Sequence, residues 1–429
     1  MLEGKARAWL PLCVAALVVV ATVACTGTPP LRGADGKFAP IDGANVLARG
    51  ARVVNPGVTH DELVALADAN AAFALDVYRH MAAAGEGNIL IGPQSISTAL
   101  AMIYPGARGQ TAADMARVLH FDDIPNVPAR FNALDFALLS RQQAGAVDLR
   151  LANQVFAQPG FPLVESYLET LSAQFGAPLA ELDFGESERA RGVINDWAAQ
   201  QTNDRIQELF PSGAIDGSTR LVLVNAVSFD AAWRYIFDPA ATRPGGFERA
   251  DGSVATVPMM HFDVRLPVAF ETDYRAVELM YGRGDLSMVL ILPDDLAEFE
   301  STLSTETLGA IFDRISDSGV HFLMPKFSFS HHTDMDPILT ALGMGSAYEG
   351  ADFSGIVEGG GLFVQAVEHE AFIEVDEAGT EAHAASGVAM AVSHGPTIEL
   401  NRPFFFVIRD RITGAILFLG RVADPSVSD

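Results

Sequence analysis

Past residue 25 the chain contains no cysteine. No disulfide and no thiolate metal site can brace its main body, so the fold rests on packing alone. Lysine is almost as scarce: beyond residue 40 only Lys326 remains, and the cations of the body are otherwise arginines. Against 28 Lys and Arg stand 54 Asp and Glu, a formal net charge of −26 with no basic cluster. Such a chain repels a phosphate backbone, which argues against nucleic acid as a partner. There is no G-x-S-x-G elbow, no phosphate loop and no dinucleotide fingerprint, since Gly282 and Gly284 are followed by Ser287 where a third glycine would have to stand. A hydrolase whose triad assembles from distant residues stays open at this stage.

Metal chemistry fares no better. His369 and Glu370 open like a zincin helix, but Ile373 occupies the position of the second histidine. His331 and His332 with Asp334 and Asp336 read as a polar loop, because neighbouring side chains on a strand face opposite ways. Asp294 and Asp295 after Pro293 read as a solvated turn. Neither a metal nor a cofactor is expected.

What is present begins at the N-terminus. Lys5 and Arg7 precede an apolar run from Trp9 to Ala21, and small residues lead to Cys25, a pattern that predicts an export signal over 1–25 rather than a spanning helix. Val23 and Ala24 before Cys25 resemble a bacterial lipobox, with Thr22 in the usual place of Leu. The resemblance implies lipidation of Cys25 and an outer-membrane or cell-surface lipoprotein; free secretion to the extracellular space and an uncleaved anchor are the alternatives. Residues 26–58, rich in Gly, Pro, Ala and Arg without a sustained period, read as a flexible tether, and 59–425 as the folded domain.

Within that domain Thr59 and Asp61 offer caps to a run in which Leu63, Leu66, Phe73, Val77 and Met81 recur at helical spacing. Further helical patterns cover 95–119, 130–142, 162–175 and 188–201. Strand-like runs cover 149–157, 221–229, 276–279, 286–292, 320–325, 362–375, 397–400, 404–409 and 415–422. Helices dominate the first half and strands the second without regular alternation, which predicts an α+β architecture.

One segment resists this description: EAGTEAHAASGVAMAVSHGP, residues 377–396, is small-residue-rich and nearly uncharged between two strand-like runs. Its opening, Glu377-Ala378-Gly379-Thr380-Glu381-Ala382, resembles the reactive-loop hinge of the serpins, a family of protease inhibitors. NILIGPQSISTALAMIYPGARGQTAADMARVL (88–119), LVLVNAVSFDAAW (221–233), LSMVLILPDD (286–295), VEHEAFIEVDEAGTEA (367–382) and LNRPFFFVIRD (400–410) resemble other family segments in family order. The resemblance implies a serpin fold, with about nine helices on three β-sheets, a large central one among them, and an exposed reactive-centre loop. It assigns hinge roles to Glu377, Gly379, Thr380, Glu381, Ala382 and Ala384. Ser95, Asn225 and His369 become a polar cluster under the sheet where it must part, and Trp233 an aromatic where the loop enters. Gly92 departs from the family, which usually has Ser before Pro93.

The loop chemistry can be read independently. Side chains alternate along a strand, and the even-numbered set Thr380, Ala382, Ala384, Ser386, Val388 and Met390 is small or apolar, while Glu381 and His383 fall on the odd face. No proline interrupts 377–394. Such a segment suits insertion into a sheet core, the step by which the family traps a protease that has acylated its loop. Counting forward from the hinge in the family manner puts the reactive bond at Ser393-His394, and counting back from Asn401 puts it at Val392-Ser393, the preferred choice; Met390-Ala391 is a third. With no Lys or Arg between Glu377 and Leu400, an elastase-like or chymotrypsin-like serine protease is the expected partner of a monomeric inhibitor, and the chain is not itself an enzyme. The alternative is a non-inhibitory serpin acting as a surface binding protein.

Overall fold

In the computed structural model, which describes residues 40–143, 146–380 and 395–427, the helical patterns become nine α-helices among the described residues. The first, α1 (His60–Ala84), opens on a capping box: the Thr59 hydroxyl accepts from the Glu62 N–H at 3.3 Å, and the Glu62 carboxylate accepts from the Thr59 N–H at 2.8 Å. Leu66, Phe73, Val77 and Met81 form its buried stripe, as their spacing predicts. The run 95–119 divides into α2 (Pro93–Ile103) and α3 (Gly109–Val118). Pro105 lacks a helical donor there, and Gly106 lies so close to Ile356 that a Cβ would come within 2.1 Å of its side chain. Then follow α4 (Val127–Leu139), α5 (Glu165–Thr170) and α6 (Ser187–Gln201), with the short α7 (Leu296–Thr302), α8 (Thr305–Arg314) and α9 (Asp336–Leu339) later in the chain.

The strands are β1 (Asn45–Leu47), β2 (Ile89–Ile91), β3 (Val147–Ala157), β4 (Leu179–Glu181), β5 (Leu221–Ala232), β6 (Arg243–Glu248), β7 (Val254–Phe270), β8 (Tyr274–Tyr281), β9 (Leu286–Pro293), β10 (Ser316–Pro325), β11 (Phe327–Asp334), β12 (Glu368–Val375), β13 (Gly379–Thr380), β14 (Thr397–Glu399), β15 (Phe404–Asp410) and β16 (Ile416–Val422). The central sheet has seven strands in the order β1-β4-β3-β5-β13-β12-β11. The two smaller sheets that the resemblance implies are continuous here. They form one nine-stranded path, β14-β10-β7-β8-β9-β15-β16-β2 with β6 on β7, because the long β7 pairs with β10 over most of its length and with β8 through Val268, Ala269 and Phe270.

Three sequence expectations are corrected. His331 and His332 stand on β11, paired with β12, instead of in a polar loop; the ladder takes up backbone groups that a loop would leave to solvent. The run 362–375 is a strand only from Glu368, although Val367 still bridges to Leu223. The tether expected over 26–58 does not hold for residues 45–53: β1 pairs antiparallel with β4, and the Val53 N–H donates to Ala173 O at 2.8 Å.

Two apolar clusters result. The larger lies between the helical layer and the sheets; the smaller joins α6 to the central sheet through Ile194, Trp197, Phe156, Val222 and Val224.

Candidate functional site

The segment assigned to the hinge lies at one end of the central sheet, between β5 and β12. These strands run parallel and meet in a bridge between Leu223 and Val367. At their other ends β13 separates them, antiparallel to both: Gly379 pairs with Ala232, and Thr380 with Ala231 and Val375. Between these two points no ladder bridge joins β5 to β12 among the described residues. A seam lined by backbone donors and acceptors therefore leads away from the point at which the chain has entered the sheet.

What seats the hinge is local and specific. A Cβ on Gly379 would stand 2.1 Å from Ala231 O, so only glycine lets the backbone pack this closely. Asp376 Oδ1 accepts from the N–H groups of Ala378 at 2.7 Å and Gly379 at 3.2 Å, which closes the turn out of β12. Thr380 is buried, its hydroxyl 2.6 Å from that of Tyr281. Burial raises the Tyr281 hydroxyl well above the ordinary tyrosine range and outweighs the Thr380 bond, so this tyrosine is a neutral partner. Trp233 stacks on Tyr281 with centroids 4.5 Å apart, and its indole N–H donates to Asp376 O at 2.9 Å. Glu377 accepts from Thr242 Oγ1 at 2.7 Å and from Lys326 Nζ at 2.8 Å. Burial pushes its carboxyl up, but Lys326 and Thr242 outweigh that and hold it below the usual range. The one lysine beyond residue 40 thus anchors the first residue of the loop.

Of the sequence-assigned residues, Trp233, Glu377, Gly379 and Thr380 converge here. Glu381, Ala382, Ala384, Met390, Ala391, Val392, Ser393 and His394 lie outside the described residues, as does Cys25. Tyr281, Lys326, Thr242 and Asp376 were not singled out from sequence. The scarcity of lysine was the available signal for one of them; nothing local marks the others.

Ser95, Asn225 and His369 are all buried, but no hydrogen bond joins them to one another. His369 Nε2 accepts from the Gly92 N–H at 3.0 Å, and the Asn225 amide donates to Asn153 Oδ1. Ser95 Oγ, Asn225 Oδ1 and His369 Nδ1 find no hydrogen-bond partner among the described residues. Burial first, and then His331 and His332, push the His369 ring down to about 3, so it is neutral and can accept from Gly92. The departure at Gly92 therefore keeps a backbone bond to the ring; a Cβ there would stand 3.3 Å from both His369 Cε1 and Val227 Cγ1.

Comparisons with known proteins agree with this geometry. The family model described as Serpin (serine protease inhibitor) matches residues 68–425. The leukocyte elastase inhibitor of Sus scrofa is 37% identical over 377 residues, 84% of this chain and 99% of that protein. An uncharacterized serpin-like protein of Thermococcus kodakarensis is 36% identical, over 82% of this chain and 84% of that protein. The crystal structure of uncleaved ovalbumin superposes with a TM-score of 0.78 at 26% identity, covering 84% of this chain and all of that one. A match over this much of the chain, with the hinge motif threaded into the central sheet, means that the chain belongs to the serpin family of serine protease inhibitors.

Proposed function

We propose that the chain inhibits a serine protease of elastase-like, or chymotrypsin-like, specificity as a single-use trap. The protease's serine oxygen adds to the carbonyl carbon of Val392; the bond to the Ser393 nitrogen breaks, and Ser393 leaves as the amine, with the protease held as an acyl ester. The residues after Thr380 then fill the seam as a strand antiparallel to β5 and β12, with Ala382, Ala384, Ser386, Val388 and Met390 on one face. The observation that carries this reading is the seating of Gly379 and Thr380 between β5 and β12, because insertion has only to continue a ladder already begun. The chain contributes bait and stored free energy, and no catalytic group.

A small apolar residue, Val392, at the preferred bond supports the elastase-like target, as does the name of the porcine relative. Ser393-His394 and Met390-Ala391 are the other candidate bonds. Export and lipidation at Cys25 belong to the same proposal, supported by the charged start, apolar run and small residues before that cysteine. Incubation with a panel of serine proteases, read on denaturing gels, tests the function. A covalent complex with an elastase-like enzyme, and a released peptide whose mass begins at Ser393, are the expected results. Clean cleavage by every protease without any complex would overturn the reading.

A further inference from the structure

Residues 41–53 precede the part of the chain that the family model matches, yet they contact three elements of the folded body, α6, β4 and α4. At their start, Gly43 has φ +86° and lies against α6, where a Cβ would come within 2.8 Å of Val193 Cγ2; Val46 packs into the cluster that joins α6 to the sheet. β1 then adds an edge strand to β4, and the Asn45 amide donates to Glu181 Oε2 at 2.7 Å. At the far end Arg52 donates to Asn132 Oδ1 at 2.8 Å and pairs with Asp135, both on α4, and its guanidinium lies 4.4 Å over the Phe136 ring. The Asn132 amide donates back to Val53 O at 2.8 Å.

The mechanics follow from the topology. A strand added between β5 and β12 moves the two halves of the sheet apart by about 4.8 Å, one strand spacing. The half β1-β4-β3-β5 carries α6 on its face. The segment 41–53 ties β4 and α6 to α4, which packs on α1 and α2, so it links the half-sheet that must move to the helical layer over which it must slide.

We infer that residues 41–53 are a strap that positions the sheet for the inhibitory reaction: by tying β4 and α6 to α4 they hold the seam closed and slow insertion. This inference rests on the proposed trapping mechanism. In it, Gly43 and Arg52 act at opposite ends of one restraint, Gly43 against Val193 of α6 and Arg52 on α4.

The test uses the full chain with Gly43→Val, which forces a branched side chain against Val193 at a backbone angle that favours glycine, and separately with Arg52→Gln, which releases α4. The loop is cut by a protease that is not trapped, and the growth of the heat-stable, loop-inserted form is followed with time. Each variant is expected to gain stability about fivefold faster than the unaltered chain, the scale set by losing one hydrogen bond's worth of restraint. The final melting temperature of the inserted form is expected to be unchanged, and Arg314→Gln, on α8 and paired with Glu271, should leave the rate unaltered. Variants that insert at the unaltered rate, or that lower the melting temperatures of the intact and inserted forms alike, would overturn the strap. Should Arg52→Gln fail to fold, Gly43→Val decides alone. Failure of the unaltered chain to gain any stability on cleavage would sink the trapping mechanism itself, and is distinguishable from a failure of the strap.

Discussion

Thr380 is the residue on which trapping turns. It is the first of the even-numbered set, and it is buried with its hydroxyl bonded to Tyr281. A guanidinium there would have to enter a pocket closed by Tyr281 and Trp233, at a cost of several kcal/mol, roughly, without a partner. Thr380→Arg is therefore expected to turn the inhibitor toward a substrate, measured as a rise in the number of inhibitor molecules consumed per protease; an unchanged stoichiometry would contradict seam insertion. His369 contributes to acid sensitivity. Its ring is held at about 3 against 6.5 for a free histidine, so the unfolded chain binds its proton first. The folded state consequently loses stability as pH falls from 6.5 to about 3, by up to about 1.4 kcal/mol per pH unit from this group. Denaturant midpoints across that range should fall less steeply for His369→Asn, and the difference between the two profiles isolates the histidine from the carboxyls that titrate nearby.

Among the elements, β13 and the seam below it set the reaction's direction. Continuing β13 along β5 and β12 would satisfy backbone groups that now have no ladder partner and would bury apolar side chains from the loop. Cleavage within the loop should raise the melting temperature by more than about 10 °C, several kcal/mol at the few degrees per kcal/mol usual for a domain of this size. Scanning calorimetry of the intact and cleaved chain checks this, and equal melting temperatures would favour a non-inhibitory role. Elements with clean patterns were legible in advance: α1 from its apolar spacing and Thr59 cap, β5 from the apolar run over 221–224 that opens it. β7 was not, because Pro258 and Pro267 break its apolar alternation, although each proline forfeits only its own ladder donor. α7 escaped for a related reason. Asp295 reads as a turn residue in isolation, yet its side chain accepts from the Glu298 N–H at 3.0 Å and caps the helix.

For the whole molecule, the acidic excess and the lack of disulfides leave the interior to hold itself together by packing and a few paired charges. Glu278, 3% exposed, accepts from Ser287 at 2.7 Å and from Arg409 and Arg411 at 3.0 and 3.1 Å, so the scarce cations are spent where an unpaired acid would be most costly. The sequence by itself determined the fold class, the family resemblance and the alternation of small or apolar side chains over 380–390, because helical and strand periods and local motifs are short-range properties carried by neighbouring residues. Only the tertiary structure decided that Gly379 and Thr380 are already seated, that Tyr281 and Lys326 hold them, and that residues 45–53 bind the sheet edge where a tether was expected. Those facts depend on contacts between segments far apart in the chain, such as Tyr281 with Thr380 or Arg52 with Asp135, and no local pattern records which distant side chain will close on a given residue.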